Sequence, residues 1–187
     1  MDAGYNIDLI DDKESCAVIY DFDGTEYNVP TWNRDREYYE SFGLGNSYLE
    51  AQCELLITPS DLARLASALA GDGTVKECGG KRILSEDQIE KMHTVCINTD
   101  FFGMGLGVRR YDGNLVSGRT LYGHPGNALG AVCGMFYDRS DRTGVVIMTN
   151  HCNYAMSENN DLYRLIDDTV NAVYDCFFTY TDTSGEG

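Results

Sequence analysis

The stretch that most restricts the possible folds of this chain is a pair of strand-length apolar runs, ALGAVCGMFY and GVVIMTN, separated by the polar loop DRSDRTG. Each run is rich in β-branched, aromatic and small apolar residues, and the loop between them is all polar or glycine, so residues 129–150 are expected to form an antiparallel hairpin. A hairpin alone does not bury enough surface to persist in water. It needs further strands and a covering layer.

The rest of the chain offers both. Thr58 is placed to cap a helix, Pro59 suits the first helical position, Asp61 lies three residues after the cap, and Gly71 terminates. Leu62, Leu65, Ala66 and Leu69 fall at helical spacing between them and form one buried stripe. A second helix opens at Ser85, where Gln88 completes a capping box and Leu84 and Ile89 occupy the positions of a hydrophobic staple, and it runs to about His93. FFGMGLGVRRY and TLYGH then read as strands ahead of the hairpin, with a turn at Asp112-Gly113. Ser157 can cap a final long helix in which Leu162, Leu165, Ile166, Val170, Val173 and Phe177 share a face.

Helices, an antiparallel sheet, then a helix long enough to cross that sheet describe an α+β fold with three to four strands flanked by helices. With so few strands, one sheet edge is expected to stay open. Residues 1–55 are polar and irregular, with a short strand or hairpin near Cys16 to Tyr20 and the turn signal Asp23-Gly24. Residues 56–180 carry the helical and sheet part, and 181–187 form a frayed tail.

Thirty acidic against fourteen basic residues give a formal charge of −16, a field that repels nucleic-acid phosphates and anionic lipid headgroups, so neither is an expected partner. No apolar run approaches the roughly 20 residues that span a bilayer, and the acidic start MDAGYNIDLIDD is unlike a signal peptide. Seven cysteines, with no CxxC pair and no zinc-like Cys/His spacing, point to reduced thiols rather than a disulfide framework or a metal site, and no cofactor is implied.

Two motifs compete for the function. AVIYDFDGT, residues 17–25, has the strand followed by DxDGT that opens haloacid-dehalogenase-type phosphotransferases, in which Asp21 would attack phosphorus and Asp23 handle the leaving-group proton. That chemistry also needs a later lysine and an acidic pair. Asp167-Asp168 supplies a pair, but Lys76, Lys81 and Lys91 all precede the segment that would serve as the second motif, IMTN. A hairpin turn accounts for Asp23-Gly24 without any catalysis.

The second constellation covers more of the chain. ITPSDLARLASALAGDG, GGKRILSEDQIEKMHT, FFGMGLGVRR and YGHPGNALGAVCGMFYDRSDRTGVVIMTN occur in that order. Together they resemble the C-terminal half of the serine β-lactamase family, in its branch of class C enzymes, esterases and D-amino-acid peptidases. The family's third active-site motif, Lys or His, any residue, then Gly, reads His124-Pro125-Gly126 here. The resemblance implies that His124 polarises the reacting centre, that Gly126 lets substrate backbone lie close, and that the N–H of Asn127 is one of two oxyanion donors. Tyr122, Gly123 and Pro125 would line the substrate, a small or peptide-like molecule with an amide, ester or β-lactam carbonyl. An imidazole where many relatives carry a lysine favours an esterase or peptidase branch. His93 and His151 have no such context and read as structural or solvated.

The family's nucleophile is the serine of Ser-x-x-Lys, and no serine in this sequence has a lysine three residues on. Tyr39-Glu40-Ser41 has the letters of the family's second motif, but its place just before the first helix makes it a coincidence. The resemblance therefore implies a chain that begins after the nucleophile, is inactive alone, and pairs with the missing N-terminal portion or with itself. A non-catalytic binding or regulatory module of the same fold is the alternative.

Overall fold

A computed structural model describes residues 3–4, 16–22, 25–29, 55–76, 79–128, 130–151 and 155–178. Its strands are β1 (Ala3–Gly4), β2 (Asp21–Phe22), β3 (Tyr27–Asn28), β4 (Leu56–Ile57), β5 (Thr74–Val75), β6 (Lys81–Arg82), β7 (Ile97–Asn98), β8 (Gly103–Met104), β9 (Arg109–Asp112), β10 (Thr120–Ala128), β11 (Ala131–Asp138) and β12 (Gly144–Thr149). Its helices are α1 (Pro59–Ala70), α2 (Glu86–His93) and α3 (Arg164–Phe177).

The architecture centres on β10, β11 and β12, whose backbone groups pair in antiparallel register from Leu121↔Asp138 to Ala128↔Ala131 and from Val132↔Thr149 to Tyr137↔Gly144. β11 alternates half-buried and buried residues, the period-two signature of a strand covered unequally on its faces. On one face α3 presents Ile166, Val170 and Tyr174, four residues apart, to Tyr111, Leu121, Val132, Phe136 and Ile147. On the other, α1 and α2 bring Ala66, Leu69, Ala70 and Ile89 against Tyr137, with Tyr122 and Met135 beside them. The result is a helix, sheet, helix sandwich.

The local signals for α1 and α2 hold in detail. The Thr58 hydroxyl accepts from the Asp61 N–H at 3.1 Å, Pro59 opens the helix, and Gly71 caps it. Ser85 and Gln88 exchange both bonds of a capping box.

Three expectations need correction. The central sheet has six strands among the described residues, in the order β12-β11-β10-β9-β8-β7, rather than three or four. The run FFGMGLGVRRY divides at Gly105–Val108 into β8 and β9, and β7 pairs with β8 through two residues only, too short to leave a period in the sequence. The last helix begins at Arg164, with no side-chain cap, and Ser157 instead donates from Oγ to the Asp167 carboxylate at 2.6 Å. Residues 155–162 thus fold as a loop whose ends meet through Arg164 N–H to Ala155 O, 2.7 Å. Leu165 and Phe177 are consequently exposed, and Tyr174 takes the buried position the sequence stripe lacked.

Near the N-terminus the hairpin is β2 with β3, while residues 16–20 form no strand, and Asp23 and Gly24 lie outside the described residues, as do 181–187. Residues 18–20 cover the end of the β12 edge: the Tyr20 N–H donates to Asn150 O at 2.9 Å, and Asn150 Nδ2 donates to Val18 O at 3.0 Å. Residues 144–149 pair only with β11 among the described strands.

Candidate functional site

β10 is held on both sides at its start and on one side at its end. Thr120–Gly123 pair with β9, whereas residues 124–127 pair with β11 alone. Pro125 gives the reason: it has no N–H to offer a neighbour, and proline inside a sheet is tolerated where its nitrogen faces an unpaired edge. The sequence H-P-G therefore releases β9 and leaves a free edge in mid-sheet.

The register decides which groups use that edge. Val132 directs both its N–H and its carbonyl toward β12, where Thr149 Oγ1 meets them at 3.3 and 2.9 Å. In an antiparallel ladder the residue opposite then points its own N–H and carbonyl outward as well. Asn127 is that residue, so its N–H faces the side that β9 has vacated.

Side chains alternate along the same strand. Pairing with Tyr137, Met135 and Cys133 puts Tyr122, His124 and Gly126 on the face covered lower down by α1 and α2. Gly123, Pro125 and Asn127 lie on the α3 face, where the Asn127 amide donates to the Tyr163 hydroxyl. The six residues named from the sequence are thus divided by the sheet. His124 and Gly126 are exposed. His124 Nδ1 donates to the carbonyl of Pro125 at 2.5 Å, leaving Nε2 as the nitrogen with an available lone pair. At Gly126 an added Cβ would meet no heavy atom nearer than the Cβ of Cys133, 3.9 Å away, so the chain's own packing does not require glycine there.

Comparison with family models matches residues 10–169 to the family described as Beta-lactamase. The chain belongs to the β-lactamase family. No curated protein matches it. Family membership supports a serine-hydrolase-like function in general, and the match spans the AVIYDFDGT segment as well. Of the phosphotransferase reading, Asp23 lies outside the described residues, and the carboxylate of Asp167 in its acidic pair accepts from Ser157, Asn160 and Asn171. Among the described residues no helix is long and apolar enough to cross a membrane.

In this β-lactamase-family chain, Tyr122 and Gly123 stand below the open stretch rather than in it. Gly123 is buried, and a Cβ there would come within 1.9 Å of the Met135 carbonyl oxygen. Tyr122 packs edge-on to His93, ring centroids 4.7 Å apart, and stacks near Tyr137. His93, read from sequence as structural or solvated, is buried and structural. Its Nδ1 faces the Ile89 carbonyl at 2.7 Å and must carry the proton, so Nε2 accepts from the Tyr137 hydroxyl at 2.8 Å. This fastens α2 to β10 and β11 just beneath His124. No local signal marks it, because the partner hydroxyl is 44 residues away.

Burial first, and the Arg139 guanidinium second, hold the His93 pKa below its ordinary value, although the Ile89 carbonyl and Glu90 oppose them. The unfolded chain therefore takes up a proton near pH 6.5 that the folded chain resists, and stability falls as pH drops through that range. Thermal unfolding measured from about pH 7 down to about pH 5 should show a falling melting temperature, with a shallower slope in His93→Gln.

Cys133, beside Gly126 on the same face, was not singled out by the sequence. Burial pushes its thiol up, which keeps it neutral and a poor nucleophile.

Proposed function

We propose that this chain supplies the carbonyl-gripping wall of a serine acyl-transfer site, with the nucleophile provided by polypeptide outside these 187 residues. In this reading the Asn127 N–H is one oxyanion donor. Gly126 leaves room for the substrate backbone, and His124 Nε2 accepts or returns a proton at the reacting centre. Tyr122, through His93, sets where that strand sits, and Pro125 keeps β9 out of the way.

One observation carries the proposal. Four consecutive residues of a central strand are freed on one side, with an outward N–H, an exposed imidazole and a glycine that has room for a side chain. Proline there gives up the ladder bond that β9 would otherwise make. No serine of the sequence has a lysine three residues on, and burial keeps the Cys133 thiol a poor attacker, which supports taking the nucleophile from elsewhere. The outer edge of β12 is the natural docking place for the N-terminal portion that would bring it.

The test is covalent labelling. The isolated chain should not react with a fluorescent penicillin or a fluorophosphonate. Mixed with a polypeptide carrying the family's Ser-x-x-Lys segment, it should allow that serine to be labelled. Gly126→Val in the mixture should slow labelling by about a hundredfold, the size of losing an oxyanion contact. Acylation of the isolated chain at one of its own serines would overturn the assignment.

A further inference from the structure

The α3 face of β10 carries a concavity whose charged groups the acyl-transfer reading does not use. It is a cleft of about 220 Å3 between Pro125, Asn127 and the loop that precedes α3. That volume is below the roughly 300 Å3 at which pockets for drug-sized ligands begin, which limits an occupant to a small metabolite.

Its charged groups are oddly underused. The Arg109 guanidinium is only 16% exposed and lies over the Phe102 ring at 4.0 Å. Its Nε is buried with no partner, and its polar contacts are a 3.4 Å bond to the Tyr111 hydroxyl and a 3.5 Å bond to Asp161. Charge-assisted N–H···O bonds normally close to about 2.7–2.9 Å, so this pair is held apart. Both members are fixed where they stand. Packing immobilises Arg109. Asp161 sits in the left-handed region at φ 55°, which aspartate and asparagine enter more readily than other residues with a side chain. The loop bonds Ser157 N–H to Leu162 O, 2.7 Å, and Asn160 Nδ2 to Asp167, 2.8 Å, keep it there. Beside the pair lie Pro125, Leu162 and Met156, the last 45% exposed despite its size.

We propose that this cleft binds a free α-amino acid with an apolar side chain. The ligand's carboxylate takes the terminal nitrogens of the Arg109 guanidinium, and its ammonium takes Asp161. Its side chain covers Met156 against Pro125 and Leu162. A zwitterion fits a cation and an anion held slightly too far apart to satisfy each other, because its own two charges are adjacent and of the opposite order. A dicarboxylate is repelled by Asp161, and a simple amine leaves Arg109 unused. The inference goes beyond the acyl-transfer reading but shares its strand edge, since Gly126 and Asn127 line this cleft as well; binding is read without acylation, so the two readings can fail separately.

The experiment is an NMR titration of the full chain with L-leucine, leucinamide and N-acetyl-leucine. Leucine should shift the amides of Gly126, Asn127, Asp161 and Leu162 saturably, with a dissociation constant of about 1 mM, and each blocked analogue should bind about tenfold more weakly. Asp161→Asn keeps the fold, because asparagine tolerates the left-handed region. In that variant leucine and N-acetyl-leucine should bind alike, whereas Arg109→Met should abolish binding of all three. Absence of saturable shifts with leucine, analogues that match leucine on the unaltered chain, or binding unchanged by Asp161→Asn would each overturn the proposal.

Discussion

Gly123→Ala should cost the fold about 4 kcal/mol or more, near the upper end of what one substitution does, while Gly126→Ala three residues on should change stability by less than about 1 kcal/mol. The two glycines sit on the same strand and look equivalent in the sequence. At Gly123 the new methyl would stand 1.9 Å from the Met135 carbonyl oxygen and 2.8 Å from the Phe136 Cα. Both obstacles are backbone of the adjoining strand, so no rotamer change can yield. β10 and β11 would have to part where Leu121, Phe136 and Tyr137 are wholly buried. At Gly126 the nearest atom is 3.9 Å away, ordinary van der Waals contact. Urea denaturation followed by far-UV circular dichroism separates the cases through the midpoint. Equal midpoints for the two variants would show that the strands are not registered as described, and with the register would go the outward direction of the Asn127 N–H.

What could be read ahead of the structure divides along the range of the interactions. α1, α2 and the β11–β12 hairpin were legible because their determinants are local: a cap and the N–H three residues on, a capping box, two apolar runs about one polar loop. The start of α3 was misread for the opposite reason. Ser157 has the right residue type for a cap, but its hydroxyl belongs to Asp167 ten residues later, inside a network that also takes Asn160 and Asn171. The sheet was undercounted because β7 and β8 are defined only by their partners. At the candidate site, an edge position for the strand bearing His124-Pro125-Gly126 was legible, and the division of its side chains follows from the two-residue period. Which way the Asn127 N–H points was not legible. It depends on the phase of the ladder, set by how Val132 meets Thr149, 17 residues away.

Arg119 is the extreme case of a determinant invisible in sequence, and its removal is the second large effect expected. It sits just before β10 and donates to Asp138 at 3.1 Å, to Asp141 at 2.6 Å and to the Phe178 carbonyl at 3.3 Å, with its guanidinium 5.0 Å from the Tyr174 ring. One side chain thereby ties the start of β10 to the β11–β12 turn and to the C-terminal end of α3, where a cation also meets the negative pole of the helix. The Asp138 side chain is 5% exposed, with Ser140 satisfying only its Oδ1. Arg119→Met keeps the bulk of the stem but leaves a buried carboxylate without its cation and its Oδ2 without a donor, and breaking such a pair from one side costs about 3 kcal/mol. Asp138→Asn in the Arg119→Met background should then lose little more, because the charge that made the first change expensive is gone. A double-mutant cycle by urea denaturation should return a coupling energy of at least about 1 kcal/mol between the two positions. Additive losses would mean that Arg119 acts through Tyr174 and the helix end alone, and the hairpin turn would then owe its conformation to the bonds Asp138 and Asp141 make to Ser140 and Thr143.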